Sequence, residues 1–324
     1  MTMKILLTGA AGFIGARTAE MLLDQGKQVL GFDDLNDYYD VRLKEARLAR
    51  LLERKGFTFV RGDLSVRSQV ESLFADHPVD AVINLAARAG VRYSLENPEV
   101  YYQTNVLGTL FLLEAMRSHG VRKLVLASTS SLYAGQSMPF SEDLPVNEPI
   151  SPYAASKKGA EVTAYTYHRL FGIDVSVLRY FTVFGPMGRP DMSPFRFIRW
   201  VDRGERIELF GDGSQSRDFT YVDDIARGTI LALKPLGYRV LNLGGGRNPV
   251  TILELIRMIE ERLDKKAVIH HLPPHSADMK ETWADIGRAD QLLDWRPEFT
   301  LGEGLDHSIE FYRQNREWMV DLEV

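Results

Sequence analysis

The 324-residue chain contains no cysteine. That excludes disulfides, thiolate metal ligands and cysteine nucleophiles, and it fits a reducing compartment. No block of basic residues occurs and the formal net charge is -5, so nucleic acid is not the expected partner. Long apolar runs are missing too. The first one, after Lys4, ends at a glycine and is too short for a signal-peptide core or a membrane span. A cytoplasmic protein with no membrane partner is therefore expected. Repeats and low-complexity tracts are absent. His270, His271 and His275 lie close together among prolines, without ligand spacing on one element, and read as loop residues with no metal. What remains, 45% apolar and 26% charged residues, is the composition of an ordinary globular chain. The length suits one large α/β unit or two unequal domains.

The N-terminal pattern predicts a β-α-β unit. Residues 4–8 read as a buried strand, residues 13–25 as a helix closed by Gly26, and residues 28–32 as a second strand ending on Asp33-Asp34. Gly9, Gly12 and Gly15 form a G-x-x-G-x-x-G turn between the first strand and the helix. Glycines there allow a tight turn and let backbone approach a pyrophosphate, while the helix N-terminus offers N–H donors and a partial positive charge. Asp33, where the second strand ends, suits the adenosine ribose hydroxyls and disfavours a 2′-phosphate, so NAD is expected rather than NADP.

Further along, residues 38–55 predict a charged helix and residues 57–61 a third strand. Asp63 after it suits either an adenine amino group or the cap of the next helix. Residues 80–87 predict a fourth strand ending in small residues that let backbone pass a flat ligand. Arg88 and Arg92 then suit either anion contacts or surface pairing. Residues 98–119 predict one long helix, apolar on more than one face, for a core or a subunit interface. Asn105 in it suits a cap or a hydrogen bond to the sheet.

The fifth strand, 123–128, runs into Ser128-Thr129-Ser130-Ser131. Hydroxyls at the C-terminal edge of a parallel strand lie where such sheets bind ligands. Thr129 is the candidate to bond the reacting oxygen, and a hydroxyl-stabilised turn is the alternative. Ser151 then suits a helix N-cap and Pro152 the first helical position. On the helix of residues 153–171, Tyr153 and Lys157 fall at i and i+4, on one face. A free phenol titrates at about 10, and a neighbouring ammonium lowers that value. Such a phenol can take and return a hydroxyl proton.

A sixth strand is expected at 173–180, a helix at 196–203, short strands at 205–210 and 239–243, and a capped helix at 251–263. The 239–243 strand is expected to rejoin the parallel sheet. Arg217, in Ser216-Arg217-Asp218, suits either a diphosphate, which a guanidinium fork matches, or an ion pair with Asp218 or Asp223.

Gly9, Gly12, Gly15, Asp33, Asp63, the run Asn84-Leu85-Ala86-Ala87, Thr129, Tyr153 and Lys157 together resemble the motif series of the extended short-chain dehydrogenase/reductases, along nearly the whole chain. The resemblance implies an α/β fold: a Rossmann-type doubly wound parallel sheet with a smaller mixed α/β C-terminal lobe. It implies an NAD-binding unit over residues 1–180 with roughly 221–248, and a nucleotide-sugar unit over 181–220 and 249–324. Its catalytic triad falls on Thr129, Tyr153 and Lys157: Tyr153 as base, Lys157 holding the nicotinamide ribose and lowering the phenol pKa, Thr129 orienting the hydroxyl. Gly9, Gly12, Phe13, Ile14, Gly15, Asp33, Asn36, Asp63, Leu64, Leu85, Ala86, Ala87, Asn105, Tyr153 and Lys157 fall at the cofactor. Arg88, Ser130, Ser131, Thr182, Arg189, Arg217 and Asp278 fall at the sugar nucleotide, and a homodimer is implied.

Within that family, residues 36–44, 87–92 and 180–192 resemble the UDP-glucuronate 4-epimerases. Ser130-Ser131 stand where a 4,6-dehydratase carries an acid and a base, which points away from dehydration. The implied reaction opens with oxidation at C4 and closes with return of the hydride to the opposite face. A 4-keto uronate is a β-keto acid that loses CO2 when its C5–C6 bond lies parallel to the carbonyl π system. Thr182 and an Arg189 fork are expected to bind the carboxylate and hold it away from that alignment. A UDP-glucose epimerase, a UDP-glucuronate decarboxylase and a catalytically inactive dinucleotide-binding protein are the alternatives.

Overall fold

A computed structural model of the chain describes residues 2–246, 249–274 and 279–322. Its centre is a seven-stranded parallel sheet. The strands are β1 (Lys4–Thr8), β2 (Gln28–Asp33), β3 (Phe57–Arg61), β4 (Ala81–Asn84), β5 (Lys123–Thr129), β6 (Asp174–Tyr180) and a last strand, Tyr238–Leu243. Their spatial order is Tyr238–Leu243, β6, β5, β4, β1, β2, β3. The order reverses between β1 and β4, and a crevice opens above the carboxyl ends of the strands at such a switch point. Helices cover both faces, so β1, β4 and β5 read as unbroken apolar runs rather than alternating ones.

One helix layer contains α1 (Phe13–Asp24) and the helix Val222–Leu231. The other contains α3 (Arg67–Asp76), the helix Gly108–Ser118 and the helix Pro152–Phe171. Ser151 caps the last of these, its Oγ accepting from the Ala154 N–H, with Pro152 in the first turn. A separate core lies under the second half of the chain. It gathers Phe195, Ile198, Leu255, Ile259 and Tyr312, and Phe13, Tyr39 and Leu43 from the first half pack into it. No helix among the described residues is long and apolar enough to cross a membrane.

Four expectations need correction. The residues 98–119 do not form one regular helix: a short turn, Glu99–Tyr101, leads into a π-helical stretch, Tyr102–Leu107, and only then into Gly108–Ser118. The wider turn carries Asn105 inward, where its side chain bonds the backbone of Arg88 at 3.0 Å twice; π-bulges often mark such sites. The fourth strand stops at Asn84, because the next amides leave the ladder: the Ala86 N–H donates to Thr8 Oγ1 at 3.1 Å. The helix after β2 is α2 (Val41–Leu52), started by Asp40, whose carboxylate accepts from the Arg42 N–H. His270 and His271 belong to a strand, Val268–Leu272, that pairs in parallel with Arg206–Phe210. Consecutive strand residues point to opposite faces, and the pairing uses backbone only, so histidines are admitted there. His275 lies outside the described residues.

Candidate active site

A cleft of about 380 Å³ runs across the carboxyl ends of the strands. The glycine turn forms its floor. Gly9 has a φ of 70°, and a Cβ there would come 2.7 Å from the Ala86 nitrogen. A Cβ on Gly15 would lie 2.0 Å from the Gly9 carbonyl oxygen. Gly15→Ala is therefore expected to lower unfolding free energy by about 2–3 kcal/mol, read from denaturant titration. Unchanged stability would mean that the turn opens freely.

Asp33 is buried at the end of β2. Its carboxylate accepts from the Ala11 N–H at 3.0 Å and the Leu35 N–H at 2.9 Å. Burial pushes its pKa up, against the pull of those two bonds. The same side chain thus latches the glycine turn to the sheet edge. Arg47, which sequence reasoning passed over, makes a second latch: its guanidinium donates to the Ala11 carbonyl at 3.2 Å, the Tyr39 hydroxyl at 2.6 Å and the Met187 carbonyl at 2.6 Å. Lys44, which closes the 36–44 segment but has no role assigned from sequence, is buried in the cleft wall; burial lowers its pKa to about 8. It donates to Asn36 Oδ1 at 2.9 Å.

The cleft lining contains Gly9, Gly12, Phe13, Ile14, Gly15, Asp33, Asn36, Asp63, Leu64, Leu85, Ala86 and Ala87. Asp63 also opens the next turn, its Oδ1 accepting from the Ser65 N–H at 2.8 Å and hydroxyl at 2.7 Å. Asn105 is outside the lining: its amide is committed to the Arg88 backbone and to Ser156 Oγ at 2.9 Å. Arg88 lines the cleft at the β2 end, 2.9 Å from Asn36 Oδ1 and 4.0 Å from the Asp34 carboxylate.

Thr129, Ser130, Ser131, Tyr153, Lys157, Thr182 and Arg189 line the same cleft. The Tyr153 phenol lies close enough to the Thr129 hydroxyl to feel it, and Thr129 Oγ1 donates to Ser131 Oγ at 3.1 Å. Burial raises the phenol pKa, and the Thr129 hydroxyl and the Arg189 charge pull it back only in part. The direction differs from what the i, i+4 spacing predicts. The reason is desolvation, the largest influence on the phenol; Lys157 Nζ donates to the Ala127 carbonyl on β5 at 3.0 Å, and burial lowers its own pKa to about 8. One turn on, Glu161 takes Ser128 Oγ at 2.6 Å and a two-pronged Arg179 at 2.8 and 2.9 Å. That buried network pins the end of β5 to the helix carrying Tyr153 and Lys157.

Arg189 lines the same cleft, close enough for its charge to act on the phenol. Asp191 holds its Nε at 3.0 Å and its Nη2 at 2.5 Å, and the Ala89 carbonyl lies 3.4 Å from Nη2. Burial works against the guanidinium charge, and the Asp191 carboxylate more than offsets it. The Tyr38 ring centre sits 5.5 Å from Arg189 Cζ, and the Tyr101 ring packs edge-on to Tyr153 at 6.0 Å. The Tyr101 hydroxyl donates to the Gly90 carbonyl at 2.9 Å. Tyr101 carries no motif and Tyr38 has no role assigned within the 36–44 segment, so burial and contact bring them forward.

Arg217 is not among the lining residues of this cleft. It donates to the Ser216 carbonyl at 2.8 Å. Both carboxylates offered to it by the sequence are engaged elsewhere: Asp223 takes Arg17 two-pronged at 2.8 Å, and Asp218 accepts backbone N–H groups of Ala284 and Gly246 at 2.9 and 3.2 Å. Asp278 lies outside the described residues.

Residues 5–244 match the model of the NAD dependent epimerase/dehydratase family. The chain is 56% identical to the UDP-glucuronate 4-epimerase of Thermodesulfobacterium geofontis, over 98% of this chain and 99% of that one. Among solved structures it is similar to the UDP-glucuronic acid 4-epimerase from Bacillus cereus in complex with UDP-glucuronic acid and NAD, at 38% identity and a TM-score of 0.91, covering 97% of this chain and 100% of that one. It is also similar to the UDP-glucose 4-epimerase of Thermotoga maritima with UDP-glucose, at 31% identity and a TM-score of 0.89, with coverage of 97% and 100%.

Proposed function

Because the chain belongs to the NAD-dependent epimerase/dehydratase family, we propose that it interconverts UDP-glucuronate and UDP-galacturonate by epimerisation at C4, through a transient 4-keto sugar. The observation that carries the choice of sugar is Arg189: a guanidinium lies in the wall of the cleft, close enough for its charge to act on the Tyr153 phenol. A neutral hexose offers such a cation only a hydroxyl acceptor, whereas a uronate carboxylate matches its charge.

The residues present fit NAD. Side chains on the glycine turn would collide with its own backbone and that of Ala86, which keeps bare backbone at the cleft floor, and Asp33 ends β2 where the adenosine ribose would lie. Gly9, Gly12, Gly15, Asp33 and Lys157 would hold it. Bound NAD supplies a hydride acceptor that becomes the donor when the sugar's other face is presented. The chain's own groups do the rest. Tyr153 accepts the C4 hydroxyl proton and later returns it, with Thr129 orienting the oxygen. Lys157, kept on the Ala127 carbonyl, places a positive charge under that exchange. Thr182 and Arg189 bind the carboxylate and keep the C5–C6 bond out of line with the keto π system, which suppresses loss of CO2. Arg217 and Asp278 belong to the nucleotide end in this reading, and Ser130 and Ser131 to the sugar hydroxyls.

The sheet unit, residues 1–180 with about 221–248, carries the cofactor, and residues 181–220 with 249–324 carry the nucleotide sugar. Support comes from the separate core under the second half. Chromatography of the products from UDP-glucuronate, with no cofactor added, tests substrate, reaction and retained NAD together. Formation of UDP-galacturonate is expected. CO2 with a UDP-pentose, or turnover of UDP-glucose alone, would replace the proposal with a neighbouring reaction.

The reading includes a cytoplasmic homodimer. The turn Tyr102–Leu107 packs on the helix Pro152–Phe171 where Gly159 leaves room for Val106; a Cβ on Gly159 would come 3.0 Å from Val106 Cγ2. Beside that contact Leu107 is 43% and Val162 52% exposed, and apolar side chains grouped in this way favour a partner surface. Leu107→Glu together with Val162→Glu is expected to give single chains in sedimentation velocity. An unchanged sedimentation coefficient would remove these helices from the interface.

A further inference from the structure

Arg189 does not stand alone in the cleft wall: its neighbour Asp191 already occupies part of its fork. Asp191 Oδ1 takes Nε at 3.0 Å and Oδ2 takes Nη2 at 2.5 Å. Neither bond reaches Nη1. Both side chains are about one-fifth exposed, at 19% and 22%, so the carboxylate acts on the guanidinium through little water. The Tyr38 ring and the Ala89 carbonyl complete the seat. A substrate carboxylate arriving at Arg189 thus meets one nitrogen not bound by Asp191 and a charge already partly compensated.

We propose that Asp191 is a positioning residue for uronate turnover, which damps Arg189 so that the substrate carboxylate is held by one prong and released when the sugar turns. The inference rests on the proposed C4 epimerisation. Its physical basis is the movement that reaction demands. The keto sugar must show its other face, and the carboxylate on C5 moves with the ring. A two-pronged bond to an uncompensated guanidinium would favour one ring orientation strongly. Binding that is equally tight before and after the turn adds nothing to turnover, and binding that is too tight in one orientation slows it. Asp191 takes the two nitrogens of one edge and lowers the net charge, leaving a contact strong enough to select a uronate and weak enough to break.

The test uses the full-length protein and the variant Asp191→Asn, which keeps an acceptor for Nε and removes the charge. Affinities for UDP-glucuronate, UDP-galacturonate and UDP-glucose are measured by calorimetry, and kcat and KM with UDP-glucuronate. Both uronates are expected to bind about fivefold tighter, with kcat about tenfold lower and UDP-glucose affinity within about twofold of the parent. Asp191→Glu, which restores the charge, is expected to return part of the lost kcat. Asp191→Ser is the reserve if Asp191→Asn does not fold, with the same expected signs. Weaker or unchanged uronate binding in the charge-removing variant would overturn the proposal, as would an equal gain for UDP-glucose. If the parent protein turns over no UDP-glucuronate, the reaction assignment fails on that result alone. The uronate selectivity of the affinities then still decides whether Asp191 damps Arg189.

Discussion

Tyr153→Phe is expected to lower turnover of UDP-glucuronate by about a thousandfold, the usual size of a lost general acid–base group, while NAD stays with the purified protein. The substitution removes one oxygen and leaves a ring of nearly the same shape. Its packing survives, because the Tyr101 ring meets the Tyr153 ring edge-on rather than through the hydroxyl. The glycine turn and Asp33 are untouched, since Asp33 is held by the Ala11 and Leu35 amides. Thr129 keeps its contacts with Ser131. What disappears is the phenol beside the Thr129 hydroxyl. The phenol is above its ordinary pKa at rest, through burial, so the proton must pass while the sugar hydroxyl is in place. Melting temperature within about 2 °C of the parent, with NAD retained, would show that the loss is chemical rather than structural. Turnover within tenfold of the parent would take Tyr153 out of the mechanism.

Arg189→Leu is expected to lower kcat/KM for UDP-glucuronate by about 100-fold to 1,000-fold, the range for breaking a partly buried charge pair. For UDP-glucose, if it is turned over at all, the change should stay within about fivefold. The comparison needs a control, because the substitution also strands Asp191, which has Arg189 as its ion-pair partner. A partly buried carboxylate left without its cation is destabilising in itself. The double variant Arg189→Leu with Asp191→Asn removes that stranded charge. Recovery of stability but not of UDP-glucuronate activity in the double variant is the expected pattern. A second readout follows from the chemistry of the keto uronate: without the guanidinium to hold the carboxylate out of line, a larger share of product should leave as a UDP-pentose with CO2. Equal loss for the charged and the neutral sugar would contradict a carboxylate site at Arg189.

The sequence by itself determined the features that local backbone chemistry dictates. Gly9, Gly12 and Gly15 between a strand and a helix specify a tight turn, because a side chain at Gly15 would collide with the backbone of Gly9. Ser151-Pro152 starts the helix that sets Tyr153 one turn from Lys157, through a cap bond spanning only three residues. Strands β1, β4 and β5 were legible as apolar runs, because both faces of the sheet are covered there and nearly every position is buried.

Only the tertiary structure decided which groups face one another. Asn105 carries no sign in the sequence that a π-helical turn aims it at the Arg88 backbone rather than at the cofactor. Arg88 and Arg217 are arginines in plausible places, and the fold sends one toward Asn36 and keeps the other out of the cleft lining. Arg47 and Tyr101 belong to no motif, and Tyr38 and Lys44 sit in the 36–44 segment without an assigned role, yet they build the cleft wall or latch it. Whether Tyr153 is raised or lowered in pKa depends on burial and on the Thr129 and Arg189 groups that folding sets beside it. The division has one physical cause. Turns, caps and strand runs are settled by neighbours a few residues away. Desolvation, ion pairing and the aim of a long side chain depend on residues that only folding brings together, and there a carboxylate two positions along can take the fork that the sequence offers to the substrate.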